Sequence, residues 1–592
     1  MCAIVGCKLY RSLQEGDLRL LRKMRDDMTY RGPDDFGEYF SISDGVYLGH
    51  RRLSIVDLHD RSRQPMRRDQ LVLSFNGEIY NHKALRSELG NEGFLTCSDT
   101  EVILRAWQDW GERCLDRFDG MFAFALYDGE YVHLVTDPFG EKPLYVYHAS
   151  DGVYFSSEAQ PLVDAFDLEF SLNDTELAEY LSLGYILPPA TGYKSLTSVP
   201  PASICRLGPE GVVPPKKYWA IPEFSSVKGE VYPVDPRSKK RIKNILCESL
   251  ERRLDCDVAK GLFLSGGVDS CLLASLASKE LGQKIETYTV AFPDGGDEVG
   301  VAAEVAKVLQ LPHTVIDSTE SSLWRELPKS LSSFYCCPND NATVLAVYQM
   351  CEGVRKHMRV ALTGLGGDEL FAGYQRYKLF DRLRGYYKYS KYVYHIANIL
   401  RNVSSKMYLV STLMGGGKND QYLAVKNNGF NDLLRKAVPS LPQNLFPETT
   451  DELINDVRRF DILSSMPQSY IPAVERGSMR ASVEVRAPFL SRDLMSEVAL
   501  LDQRALIRFG PKNVLKSILS EYLDLENLQK GKQGFIFPLQ RYYQQPHLVR
   551  SKLSGTPEST YRDLWERRES LKSYTLLNRL SILAELYANK GN

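Results

Sequence analysis

The chain has 592 residues, 43% hydrophobic and 25% charged, with a formal net charge of -2. That length exceeds what one hydrophobic core serves and suits two or three domains of about 100 to 250 residues, while the balanced charge argues against a nucleic-acid binder. Eleven cysteines without a CxxC pair, Cys336 and Cys337 adjacent, fit neither a zinc pattern nor a secreted disulfide framework; with no signal-peptide pattern and no run of about 18 apolar residues, a reducing cytoplasm is expected.

Cys2 stands directly behind Met1. Trimming of Met1, which is efficient before a small side chain, leaves a thiol and a free α-amine on one residue. Their reference pKa values are about 8.5 and 8, so the amine can take the thiol proton and Cys2 can be nucleophile and base at once. From Met1 to about Tyr218, short runs such as MCAIVGC, VYLGHRRLSIVDL, LVLSFNGEIYN, GMFAFALYD, YVHLVTD and PLYVYH predict strands. Helical patterns from Gly16 to Met28 and Thr100 to Trp110 interrupt them, so residues 1–218 read as an α+β sandwich. A segment rich in proline and glycine, Leu187 to Pro236, reads as a packed crossing between two halves.

Residues 236–592 change pattern. The helix RIKNILCESLERRL, the strand GLFLS, the helix CLLASLASKEL, the strand TYTVAF and the helix VGVAAEVAKVLQL form a βαβ series, and thus a parallel doubly wound sheet. A further strand and turn, MRVALTGLGGDELFAGY, ends near Tyr374, and the remainder reads as largely helical. In Ser265-Gly266-Gly267-Val268-Asp269-Ser270 a strand passes through a small-residue loop into a helix. Unpaired N–H groups and the helix dipole make such a turn an anion cradle. No G-x-x-x-x-G-K-[ST] is present, so the lysine-bearing ATPase loop is a poor comparison. The second strand end, Thr363 to Glu369, is expected beside the first at the carboxyl edge of the sheet.

SGGVDS resembles the pyrophosphate loop of ATP pyrophosphatases, which split ATP between its α and β phosphates to form adenylates. MCAIVG, YRGPDDFG, HRRLSIVD, NGEIYN, CSDTE, GMFAFALYD and DPFGEKPLY resemble, in order and spacing, the amidotransferase domain of the glutamine-dependent (class B) asparagine synthetase family. VERGSMRASVEVRAPFL at 474–490 and PKNVLKSIL extend the resemblance over nearly the whole chain. It implies an αββα N-terminal nucleophile hydrolase domain, 1–218, followed by an α/β ATP-pyrophosphatase domain with a helical C-terminal part, 236–592.

Carried over, the family pattern makes Cys2 the attacking residue, Asn76 and the Gly77 N–H the oxyanion donors, and Arg52 the clamp on the glutamine α-carboxylate. Glu78 and Asp99 take the α-ammonium, and Val56 gives backbone contacts. Phe263, Leu264, Ser265, Gly266, Gly267, Asp269, Ser270, Val290, Thr363 and Gly364 bind ATP. Asp269 and Asp368 ligate Mg²⁺, and Lys516 stabilises charge as pyrophosphate leaves. The implied partners are glutamine, ATP and aspartate or another small carboxylate, and homodimers are common in the family. Taken singly, Asn76-Gly77 reads equally as a hairpin turn, Arg52 as a surface ion pair, Glu78 as a solvated charge, Asp368 as a helix cap, Lys516 as a helix-surface lysine, and Phe263 and Val290 as core.

The sequence departs from the family in one place. Members that make asparagine usually carry a glutamate where Leu365 stands, and an apolar side chain removes any acid-base role there. Relatives with similar changes amidate other carboxylates, including uronic acids of surface polysaccharides, and a glutaminase with an inactive second half is a third reading. Tyrosines alternate with basic residues between Arg376 and Lys406; they read as helices with half-buried tyrosines, or as a docking face for an anionic polymer, a lipid-linked glycan or a membrane.

Overall fold

The computed structural model describes residues 2–209, 211–225, 230–291, 298–317, 322–386, 395, 412–413, 418–426, 453–524, 542 and 574–588. Two six-stranded sheets build the N-terminal half. The first runs, edge to edge, β10 (Leu196–Ser198), β8 (Tyr145–Ala149), β9 (Gly152–Ser156), β1 (Ala3–Leu9), β3 (Val46–Arg52) and β2 (Asp35–Ser41). The second runs β12 (Gly211–Lys217), β11 (Ser203–Gly208), β7 (Val132–Thr136), β6 (Gly120–Tyr127), β5 (Leu71–Ile79) and β4 (Met66–Arg68).

Their central strands are unbroken apolar runs because both faces are covered. In β6, Ala123 and Ala125 face the first sheet, whereas Phe122, Phe124 and Leu126 pack with Val102, Ile103 and Leu104 of the helix Asp99–Trp110. In β1, Ile4 faces the second sheet while Val5, Cys7 and Leu9 pack with Leu21 and Met24 of the helix Glu15–Asp26. Helix, sheet, sheet and helix stack in that order, giving the αββα sandwich.

The segment from Leu187 to Pro236 is more than a crossing. It supplies β10, β11 and β12 to the two sheets, and Pro214 and Pro215 are accommodated because β12 is an edge strand.

The C-terminal half contains a five-stranded parallel sheet in the order β15 (His313–Asp317), β14 (Glu286–Ala291), β13 (Lys260–Phe263), β16 (Val360–Leu362), β17 (Glu484–Arg486). From β13 the chain winds outward through β14 to β15, then returns to add β16 on the other side of β13. The loops after β13 and β16 therefore flank a topological switch point, where ligands bind in open α/β sheets. Helices Pro236–Arg253, Val268–Ser275, Glu298–Leu309, Thr343–Val354 and Ile471–Arg480 pack about this sheet. Downstream of β16 the described residues are helical except for β17.

Buried charges join the halves. Arg31 of the N-terminal half donates to Glu158 at 2.5 Å and to Glu475 of the C-terminal half, and Arg476 donates back to Glu158 at 3.0 Å. Asp119 meets Arg252 at 3.1 Å, and the Ser482 hydroxyl donates to the Tyr30 carbonyl at 2.6 Å. Most of the basic tyrosine-rich stretch, 387–394 and 396–406, lies outside the described residues. Arg376 and Tyr377 at its start are internal, not a docking face: both reach the Asp461 carboxylate, at 2.9 and 2.8 Å. No helix among the described residues is long and apolar enough to cross a membrane.

Candidate active sites

Cys2 lies at the head of β1 against β5. Its N–H donates to Asn76 Oδ1 at 3.0 Å, and its Sγ is 3.9 Å from the Leu53 carbonyl. Burial pushes the thiol up; the chain-terminal amine, the Leu53 contact and the Arg52 guanidinium each oppose that rise. Asn76 is fully buried, and its Nδ2 donor has no partner among the described residues. An orphaned buried donor costs about 1–3 kcal/mol, and beside a thiol it suits an oxyanion that forms only during reaction.

Asn76 and Gly77 sit inside β5 opposite Ala123 and Phe122, so the hairpin alternative is excluded. Gly77 is required by close approach, since a Cβ there would meet the Met121 carbonyl oxygen at 2.1 Å. Gly77→Ala is expected to displace this strand and misdirect its N–H. Loss of one such donor costs about 100-fold in turnover, which glutamate release would register.

Arg52 is also internal. It donates to the carbonyls of Asp57 at 2.6 Å, His59 at 3.3 Å and Val56 at 3.4 Å, fixing the loop that carries Val56. Glu78 and Asp99 are both buried, and burial raises both carboxyls. Asp99 Oδ2 accepts the Ile79 N–H at 2.9 Å, which holds it beside the end of β5. Glu78 faces Arg486 of β17 at 3.3 Å, so it is not a solvated charge.

Arg31 and Arg486 were legible only as letters in YRGPDDFG and EVRAPFL, with no role attached. In the fold, Arg31 Nε donates to the Cys2 carbonyl at 3.2 Å while its other nitrogens reach Glu158 and Glu475. The signal was arginine in an otherwise apolar or glycine-containing motif, but its partners lie far away in sequence.

At the other pole, β13 delivers the chain into Ser265, Gly266 and Gly267, and the helix Val268–Ser275 begins. Gly266 has φ +65°, and a Cβ there would press on Val301 Cγ1 at 2.9 Å. Ser270 Oγ accepts the Ser265 N–H at 3.2 Å and donates to the Gly267 carbonyl at 3.1 Å, closing the loop over the helix N-terminus. Gly364 and Gly367 of the neighbouring loop let the backbone close around Asp269: a Cβ would approach its Cβ at 2.7 Å and its Oδ1 at 2.6 Å, respectively.

Thr363 is tied to β17 by its N–H, which donates to the Arg486 carbonyl at 3.0 Å. Leu264 is buried, with its N–H on the Tyr288 carbonyl at 2.8 Å. Phe263 packs with Tyr288, Met358 and Val485, so it belongs to the core beneath the loop, while Val290 is half-buried near the end of β14.

The cation at this pole differs from expectation. Lys512, four positions before Lys516, ion-pairs with Asp269 and, at 2.6 Å, with Asp368. Lys512 is buried with φ +54° immediately before the helix Asn513–Leu519, whereas Lys516 is half-buried within that helix. Burial pulls the Lys512 ammonium down, but the two carboxylates outweigh it and raise it. Asp368 is not the helix cap: Gly366 holds that position, and the Asp368 carboxylate faces Lys512 instead.

Two neighbouring cavities lie in the interior, the smaller reaching Thr363 and Leu365 of the second pole. One, of about 90 Å³, is lined by residues that include Glu141, Lys142, Tyr145, Tyr185 and Arg476. The other, of about 20 Å³, is lined by Thr363, Leu365, Val474, Val485 and Ala487, and the two share Glu141, Lys142, Ile471 and Glu475 as walls.

The family models agree with these two poles. A glutamine amidotransferase domain matches residues 1–219, and an asparagine synthase domain matches residues 241–583. The chain is 30% identical over 569 residues to the Bacillus subtilis glutamine-hydrolyzing asparagine synthetase 1, covering 92% of this chain and 88% of that protein. It is 27% identical over 558 residues to a putative glutamine-hydrolyzing asparagine synthetase of Mycobacterium tuberculosis, covering 88% and 84%. A putative enzyme of the same name from Methanocaldococcus jannaschii is 28% identical over 442 residues, covering 70% and 82%. With both domain models matched in order and relatives aligned over most of its length, the chain belongs to the glutamine-hydrolysing asparagine synthetase family and is an ATP-dependent ligase that draws nitrogen from glutamine.

Proposed function

We propose that the chain makes asparagine from aspartate, glutamine and ATP. The observation that carries this reading is the coexistence in one chain of the Cys2–Asn76 pair and the Asp269–Lys512–Asp368 cluster, with the two small cavities in the interior. Once Met1 is removed, the Cys2 amine takes the thiol proton and the thiolate attacks the side-chain amide carbon of glutamine. Asn76 Nδ2 and the Gly77 N–H receive the oxyanion, the proton goes to the departing ammonia, and water hydrolyses the thioester to glutamate. Arg52 takes the α-carboxylate by its planar fork, Val56 adds backbone contacts, and Glu78 and Asp99 take the α-ammonium.

At the second pole the N–H groups after Ser265 cradle the ATP phosphates, with the half-buried Val290 toward the base. Asp269 and Asp368 would hold Mg²⁺; its preference for oxygen ligands is met by two carboxylates completed by phosphate and water, and it supplies charge neutralisation. Displaced from the two aspartates, Lys512 turns its ammonium to the leaving pyrophosphate. The acceptor carboxylate attacks the α phosphorus and expels pyrophosphate. Ammonia arriving through the interior attacks the acyl carbon, and AMP leaves. Buried passage keeps ammonia from protonation. Eleven free thiols support a cytoplasmic setting.

A second acceptor is favoured by one observation. Leu365, with Val474, Val485 and Ala487, makes one wall of the smaller cavity apolar where the family usually carries a glutamate, while Glu141 and Glu475 line the same cavity. A carboxylate needing no assistance from that glutamate, a uronic acid for example, would then be the acceptor. AMP and pyrophosphate release with aspartate, compared with a panel of uronic acids, decides between them: aspartate-dependent AMP with stoichiometric asparagine is expected, and AMP only with a uronate moves the enzyme to sugar amidation. Glutamine hydrolysis without AMP for any carboxylate would leave a glutaminase alone.

A further inference from the structure

Arg486 comes from the synthetase half, yet its side chain ends at the glutamine pole. Its Nη2 lies 3.3 Å from Glu78 Oε1, its Nε donates to Glu484 at 2.6 Å, and its Nη1 donates to the carbonyls of Arg253 at 3.0 Å and Asp255 at 2.8 Å. It is fully buried. Its own carbonyl accepts the N–H of Thr363, the first residue of the loop beside Asp269. One residue thus spans the two poles, with its backbone on one and its guanidinium on the other.

We propose that Arg486 is a positioning residue for glutamine: its guanidinium, 3.3 Å from Glu78, holds that side chain where it can capture the substrate α-ammonium, and it ties that capture to the state of the nucleotide loop. The inference rests on the reading of Glu78 as a glutamine ligand. Several charged groups face Glu78. Arg486 and Glu484 come from β17 and Asp99 from the helix Asp99–Trp110, and the chain-terminal amine acts on it as well. Burial raises the Glu78 carboxyl most, and Asp99 and Glu484 add to that rise. Arg486 is the largest opposing influence and, being a guanidinium, does not itself titrate. Removing it would let the Glu78 carboxyl rise further and would free the side chain from its partner, weakening its hold on the ammonium. Because the same residue's carbonyl holds Thr363, a shift of that loop when nucleotide binds moves the strand that carries the guanidinium.

The test measures KM and kcat for glutamine by glutamate release at pH 6.5, 7.5 and 8.5 in wild type, Arg486→Lys, Glu78→Gln and the double variant. AMP release driven by ammonium chloride reports on the fold of the synthetase half. Arg486→Lys is expected to raise KM at least tenfold with kcat within threefold, because a point charge cannot reach Glu78, Glu484 and the two carbonyls together as the fork does, and the increase should grow as pH falls, since a less closely held Glu78 carboxyl protonates more readily. Glu78→Gln should raise KM without that pH dependence, and adding Arg486→Lys to it should change nothing further. In the wild type, saturating ATP and acceptor should lower KM for glutamine at least threefold, a readout that needs no substitution. A wild-type KM and pH profile in Arg486→Lys, full additivity in the double variant, or a wild-type KM indifferent to ATP and acceptor would overturn the coupling while leaving glutamine at Glu78. An unchanged KM in Glu78→Gln would overturn the placement of glutamine and the inference together.

Discussion

Cys2→Ala is expected to abolish glutamate release from glutamine, by on the order of a thousandfold or more, because no other group can form the thioester. AMP formation driven by ammonium chloride should persist, since ammonia supplied from solution bypasses the first pole. The neighbours support the proposed role of Cys2: Asn76 is fixed on it at 3.0 Å, and the strand holding Gly77 has no room for a side chain. Parallel assays of glutamate and AMP with each nitrogen source check the expectation. Loss of AMP formation with ammonia as well would mean that Cys2 is needed for the fold rather than for nitrogen release.

Lys512→Met is expected to lower AMP release with either nitrogen source by about 100-fold or more, the scale of losing one preorganised group that stabilises transition-state charge. Glutamate release should survive. Lys516→Met, at the half-buried lysine one helical turn further on, should lower AMP release less than Lys512→Met does. The distinction rests on placement, for Lys512 is buried between Asp269 and Asp368. Its removal leaves two carboxylates facing each other without a cation, and breaking a buried pair costs about 3–5 kcal/mol, so a lower melting temperature should accompany the lost activity. Added Mg²⁺ should recover part of the melting temperature and little of the rate. If Lys516→Met is the inactive variant instead, the residue over the phosphates is the one its motif position suggested.

What the sequence revealed followed from local pattern. β1, β5 and β6 stood out because strands covered on both faces are written as continuous apolar runs, and helices such as Asp99–Trp110 carried a clear 3.6-residue period. β17 did not stand out. It is three residues long with a glutamate at one end and an arginine at the other, and those charges are internal only because Glu78 and two main-chain carbonyls from elsewhere receive the arginine. β12 was hidden by two prolines that an edge strand tolerates, and β10 and β11 by the prolines between them in the sequence. The π-helix Asp461–Tyr470, which continues a regular helix through Pro467, had no local signature.

The site divides the same way. Cys2 and Asn76 stood out in separate short motifs and Ser265 to Ser270 in a single loop, and the fold brings the first two, 74 positions apart, into hydrogen-bond contact. Lys512 and Lys516 are four positions apart in one short segment, and only the left-handed backbone at Lys512, which turns it out of the helix toward the aspartates, separates their roles. Arg31 and Arg486 are defined by partners 444 and 408 positions away, separations no local pattern encodes.

The charges buried where the halves meet bear on how such a protein can be taken apart. A truncated N-terminal half would retain Arg31 and Glu158 without Glu475 and Arg476, and its Glu78 would face solvent or a void where Arg486 had been. Each severed pair strands a charge that the remaining fold was shaped to neutralise. The break in family matching between residues 219 and 241 is therefore a seam of ancestry, not a line along which the molecule can be cut, and exchanging one half for that of a relative requires the facing residues to be transplanted with it.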